Sequence, residues 1–313
     1  MITFAKTTAS ATKLAAAIVL AALAALFPVS ASAAAFNVVE HRDIVFAEVD
    51  GLKLAGDIYV PEGEGPFPGI LSIHGGGFVG GSKNWSSLPP FMRFYASLGY
   101  VVFNVDYRLL GEGGIFPNNI KDVKCALAWM RANSAAYNID PARIAALGES
   151  AGAYLAAMVA LTANMPEFQP YLPEYADADT SVVAAVLYYA PLNFVNFENP
   201  FSRLLEAEMQ RLAKIKSKKE LMVFKRKYSP INYVKNAPPL FISYSDPDRT
   251  VPPDQSREMA AALKAAGKTV DVLEVTGEGM DHGFVIMSPD SEQAAEARSR
   301  SAAFLEKYLA KTD

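Results

Sequence analysis

Arg143-Ile144-Ala145-Ala146-Leu147-Gly148-Glu149-Ser150-Ala151-Gly152-Ala153-Tyr154-Leu155 is the stretch that decides the fold. Its first five residues form the short apolar run expected of a buried parallel strand. From Ala151 to Ala163 the alanine-rich segment reads as a buried helix. Between them stands a G-x-S-x-G pentapeptide. A serine on a turn tight enough to join strand to helix takes a strained backbone, and glycines two residues to either side leave room for the chain to close. The turn lifts the hydroxyl clear of the sheet, at a helix N-terminus whose dipole favours developing negative charge. A serine that merely caps the helix is the plain alternative. The strand before and the helix after favour a nucleophile at Ser150.

Working outward, strands and helices alternate. Apolar runs at Gly69–Ile73, Tyr100–Val105, Val182–Tyr189 and Leu240–Tyr244 read as strands, as does Thr269–Val275. Helices are expected over Ile120–Tyr137, from about Asp254 to Ala266, and from about Ser291 to Leu309. Two or three strands precede them between Phe36 and Val60, with a hairpin turn at Asp50-Gly51. This rhythm predicts an α/β fold: a mostly parallel central sheet with helices on both faces. Residues 192–236 break the rhythm with a charged helical segment too long for an ordinary connection, and predict a small lid or cap.

His74-Gly75-Gly76-Gly77-Phe78 directly follows the Gly69–Ile73 strand. Successive glycines let a backbone turn its N–H groups toward a substrate oxygen, which acyl transfer requires where negative charge develops. Gly76 and Gly77 are assigned as donors, joined by the N–H of Ala151. A flexible loop and a phosphate cradle are the competing readings; against the cradle, neither G-x-x-x-x-G-K-[ST] nor G-x-G-x-x-G follows.

Only His41, His74 and His282 exist. His41 lies in the N-terminal strand region, and His74 heads the glycine loop, where a structural role is expected. His282 follows the last expected strand, where α/β sheets present residues at the carboxyl ends of their strands. It is assigned as the base that takes the Ser150 proton. The orienting acid belongs after the Leu240–Ser245 run, where Asp246 and Asp248 are both available and spacing does not separate them. Asp281 is a weaker third candidate.

His74-Gly75-Gly76-Gly77, Asp106-Tyr107-Arg108, Gly148-Glu149-Ser150-Ala151-Gly152, Asp248-x-x-Val251-Pro252 and His282-Gly283-Phe284 together resemble the hormone-sensitive-lipase-like esterases of the α/β-hydrolase fold, most nearly the bacterial esterase/lipase (feruloyl-esterase-like) branch. The resemblance implies that the acid four residues before Pro252, Asp248, completes a triad with Ser150 and His282. It also implies that Asp106 and Arg108 brace the glycine loop. The chain departs from the pattern at Tyr244-Ser245, where many relatives have His-Gly, and at Ala153, where many have a third glycine. The expectation is a serine carboxylic ester hydrolase with no metal or organic cofactor. A peptidase or amidase on the same triad is the enzymatic alternative, and a non-catalytic binding protein the other. Phe78, Trp85, Phe194 and Phe197 are candidate acyl-pocket residues, with core or lid packing as the plain explanation.

The remaining sequence sets the context. Lys6 and Lys13, the apolar run Leu14–Phe27 and Ala31-Ser32-Ala33 predict a cleaved signal peptide over 1–33, leaving a catalytic domain over 34–313. Export to the periplasm or beyond is expected, without stable membrane insertion, because the run is short of the ~20 residues a spanning helix needs. The net charge of −4 and the lack of a strong basic cluster exclude a nucleic-acid partner. The expected partner is a small-molecule or polysaccharide-linked ester; oligomeric state is not legible. Cys125 is the single cysteine, so no internal disulfide forms, and its helical surroundings mark it as a small core residue.

Overall fold

A computed structural model describes residues 35–311 except 86 and 278; the expected signal peptide lies outside the described residues. Eight strands form one sheet: β1 (Val38–Val49), β2 (Leu52–Pro61), β3 (Phe67–Ile73), β4 (Val101–Val105), β5 (Ile139–Glu149), β6 (Ala184–Tyr188), β7 (Leu240–Ser245) and β8 (Val270–Val275). Their spatial order is β1-β2-β4-β3-β5-β6-β7-β8. The β1/β2 and β2/β4 pairs are antiparallel, and every later pair is parallel. At the β1–β2 hairpin Val49 faces Leu52. Asp50 and Gly51 both take positive φ there, the backbone of a two-residue turn whose twist matches its strands.

The helices are α1 (Leu88–Ser97), α2 (Asn118–Ala132), α3 (Ala151–Leu161), α4 (Pro200–Leu212), α5 (Lys218–Lys227), α6 (Asp254–Ala265), α7 (Phe284–Met287) and α8 (Glu292–Leu309). The sequence pattern runs α2 five residues too far, since the chain leaves the helix at Asn133. Strands buried on both faces divide the core in two. Leu71, Ala146 and Leu187 pack with Leu127 and Met130 of α2 and with α3. Ile70, Ala145 and Val186 pack with Phe91 and Tyr95 of α1 and Phe304 of α8. Alternate residues of one strand thus feed opposite layers, as period two requires. Across the second layer the hydroxyls of Tyr95, Tyr188 and Ser301 bond to one another at 2.7–2.9 Å, joining α1, β6 and α8.

The ends of the described chain meet the sheet at the amino ends of its parallel strands. The Phe36 N–H donates to Ser97 O, and Val38 pairs with Pro61 at the finish of antiparallel β2. Arg143, near the beginning of β5, donates to Leu309 O at the close of α8. The opposite end, where the parallel strands finish, carries the loops of the site.

Candidate active site

Ser150 stands between β5 and α3 with φ 52° and ψ −119°, a conformation that costs an L-residue roughly 1–3 kcal/mol. The flanking glycines are what permit it. A Cβ on Gly148 would meet Gly152 O at 2.3 Å, and one on Gly152 would meet Ile73 O at 2.0 Å. Both obstacles are backbone, so neither side chain has anywhere to go. The Ser150 N–H donates to Tyr188 O, fixing the turn to the neighbouring strand.

The structure brings Ser150, His282 and Asp248 into one hydrogen-bonded line. His282 Nε2 lies 2.8 Å from Ser150 Oγ, and His282 Nδ1 lies 2.8 Å from Asp248 Oδ2. Asp248 is buried, and its other oxygen accepts from the N–H groups of Thr250 and Val251, each at 2.8 Å. With both oxygens engaged, its carboxylate is fixed in rotation. Asp246 instead pairs with Arg257 at the surface, 2.6 Å away. Asp281 does not orient the imidazole either: its Oδ1 accepts from the backbone N–H of His282 at 2.7 Å and of Arg249 at 3.1 Å. It ties the histidine loop to the acid loop. His41 lies on the edge strand β1, its ring against Tyr137.

Gly76 and Gly77 take positive φ in the loop after β3, and their N–H groups, like that of Ala151 at the start of α3, have no hydrogen-bond acceptor among the described residues. The loop is held at several points. His74 Nδ1–H donates to Gly75 O at 2.7 Å, its ring stacks on Tyr107 at 4.5 Å, and the Tyr107 hydroxyl donates to His74 O. Burial pushes the His74 imidazole down to about 4, so it stays neutral. At the far end the Lys83 N–H donates to Asp106 at 2.7 Å, while its ammonium, buried, pairs with Asp57 and Asp43 at 2.8 Å each. Asp106 therefore braces the loop. Arg108 does not: its guanidinium pairs with Asp122 of α2 and lies over the Tyr171 ring. Its fork geometry suits that buried carboxylate, which engages both its Nε and its Nη2 and turns the side chain to α2 in place of the glycine loop.

Two further groups of the site carry no local mark in the sequence. Glu149, inside the serine motif, accepts from the Gly75 N–H and packs so closely that a Gly75 side chain would collide with it. Burial raises its carboxyl to about 7, opposed by the Gly75 N–H and the nearby His282. Tyr189, with φ 41°, sets its ring edge-on to His282 at 4.9 Å. Nothing in the spacing signals that residue 149 folds back onto residue 75.

The 192–236 segment holds α4, α5 and a 3-10 stretch at Pro230–Asn236. Phe194 and Phe197 line a small apolar cavity of about 20 Å³ there with Leu205, Met209, Leu221 and Phe224. Phe78 departs from the acyl-pocket expectation, because its ring packs in the core against Phe116 and Tyr154. Trp85 is exposed. Cys125 is buried, with burial raising its thiol to about 11.

An eight-stranded, mostly parallel sheet with a serine at a strand-to-helix turn defines the α/β-hydrolase fold. A family model described as BD-FAE matches residues 56–263, and the chain belongs to that family. It is 35% identical over 238 residues to esterase LipQ of Mycobacterium tuberculosis, covering 75% of this chain and 53% of that protein. Esterase LipC of the same organism is 34% identical over 224 residues, covering 71% and 54%. The chain thus spans about half the length of these curated relatives. Among solved structures, a truncated carbohydrate esterase from gut microbiota superposes with a TM-score of 0.74 at 23% identity, covering 90% of this chain and 99% of that one. A butyrate-bound thermophilic esterase from Thermogutta terrifontis gives 0.70 at 24% identity, covering 89% and 97%. At such identities the likeness speaks for the fold.

Proposed function

We propose that the chain is a serine carboxylic ester hydrolase working through an acyl-enzyme. The observation that carries this reading is the hydrogen-bonded line from Asp248 through His282 to Ser150, set beside a glycine loop with uncommitted N–H groups. Ser150 Oγ attacks the ester carbonyl carbon while its proton passes to His282 Nε2. The N–H groups of Gly76, Gly77 and Ala151 receive the developing oxyanion, each worth roughly 10²–10³ in rate. The carbonyl–alkoxy bond then breaks, and His282 returns the proton to the departing alcohol. Water, deprotonated by the same imidazole, releases the acid and restores Ser150. Asp248 holds Nδ1–H and stabilises the imidazolium.

The names of LipQ and LipC as esterases, and of a carbohydrate esterase among the structural neighbours, support an ester substrate, free or linked to polysaccharide. The leader pattern of residues 1–33 supports export before action. The test is a panel of p-nitrophenyl esters from acetate to decanoate beside a dipeptidyl anilide. Ester hydrolysis that disappears in Ser150→Ala is expected. Equal hydrolysis by Ser150→Ala refutes the mechanism, and preference for the anilide refutes the ester class.

A further inference from the structure

Every peptide group of the acid loop's central turn is held by a side chain, and one of those side chains comes from outside the triad loops. Asp248 itself takes the N–H groups of Thr250 and Val251. Asp281 takes the N–H of Arg249. The remaining two groups, the carbonyls of Arg249 and Thr250, both accept from Asn199 Nδ2, at 3.1 and 2.9 Å. Asn199 also caps α4: its Oδ1 accepts from the Ser202 N–H at 2.7 Å, and its own N–H donates to Ser202 Oγ at 2.9 Å. One amide thus starts a helix of the 192–236 insertion with its oxygen and grips the acid loop with its nitrogen.

Two residues on, Phe201 reaches the opposite wall. A Cβ on Gly77 would sit 3.1 Å from its ring, so the first turn of α4 spans from the acid loop to the glycine loop. A cover free to swing away would not be tied at this end to both halves of the site. We propose that Asn199 is a positioning residue for Asp248, and that the N-terminal end of the insertion is a fixed part of the active centre. This rests on the triad reading above. Without the Asn199 amide the carbonyls of Arg249 and Thr250 lose their shared donor, and the peptides that pin Asp248 gain freedom to rotate. The carboxylate then spends less time aligned with His282 Nδ1.

Asn199→Ser separates the two duties, because serine is as good an N-cap as asparagine but does not carry the amide donors. The experiment is a double-mutant cycle with Asp248→Asn, read as steady-state kinetics on an activated ester and as the rate at which a fluorophosphonate labels Ser150. Asn199→Ser is expected to lower kcat and the labelling rate about tenfold, with KM within twofold and the melting temperature unchanged. In the Asp248→Asn background the same change should cost nothing further, since coupled residues are not additive. An unchanged labelling rate overturns the proposal, and so does an equal loss in both backgrounds. Rapid Ser150 labelling with no ester turned over sinks the esterase reading alone, since the cycle still runs on labelling rates. No labelling of the wild type sinks both.

Discussion

Replacing Lys124 by methionine is expected to stabilise the protein at neutral pH. Lys124 is fully buried on α2, and among the described residues its ammonium donates to Thr162 O alone and pairs with no carboxylate. Burial alone drops its pKa from the ordinary 10.5 to about 7. At about 1.4 kcal/mol per tenfold in proton affinity, keeping this amine inside costs roughly 4 kcal/mol at pH 7. The sign follows from the depressed value: the folded state binds fewer protons than the unfolded chain between about pH 7 and 10.5, so stability rises with pH across that window. Methionine removes the cost at nearly the same volume, but leaves Thr162 O without its donor, a loss of about 1–3 kcal/mol. The net gain at pH 7 is about 1–3 kcal/mol, or several degrees in melting temperature for a domain of this size. Urea unfolding of both proteins at pH 7 and pH 10 measures it. The gap between them should shift by about 3 kcal/mol toward the wild type at the higher pH. A methionine variant that is less stable at pH 7, or a gap that does not move with pH, refutes the reasoning.

Other expectations concern the site and its supports. Glu149→Gln keeps an acceptor for Gly75 but removes a carboxyl raised to about 7; such a group stabilises fully below its unfolded value near 4.5 and loses that contribution as pH climbs through 7. The variant should show a flatter stability profile between pH 4.5 and 7 in chemical denaturation. Gly152→Ala forces a methyl into Ile73 O and should cost at least 3 kcal/mol or abolish soluble protein, seen by thermal melting. Ser301→Ala removes one hydroxyl from the buried trio and should lower stability by about 1–2 kcal/mol, with esterase kinetics unchanged.

Much of this fold is legible in the sequence because its strands are buried on both faces. Apolar runs such as Leu240–Tyr244 leave little choice of element, and the parallel order follows from their alternation with helices. The ends of helices are less legible: Asn133 to Tyr137 are expected to continue α2 but lie outside it. For the site, local motifs point to Ser150, the glycines and His282, while Asp248 separates from Asp246 only by family resemblance. Contacts that close over long separations carry no local mark. Glu149 on Gly75 and Asn199 on Thr250 are ordinary polar residues until the sheet brings their loops together. Arg108 shows the converse, a motif residue whose partner is Asp122 rather than the loop its neighbours brace.

Phe36 and Leu309 both lie at the amino ends of the parallel strands, away from the loops carrying Ser150, Asp248 and His282. An attachment at either of those positions, whether to a resin or a fusion partner, would turn the loops carrying Ser150, Asp248 and His282 outward.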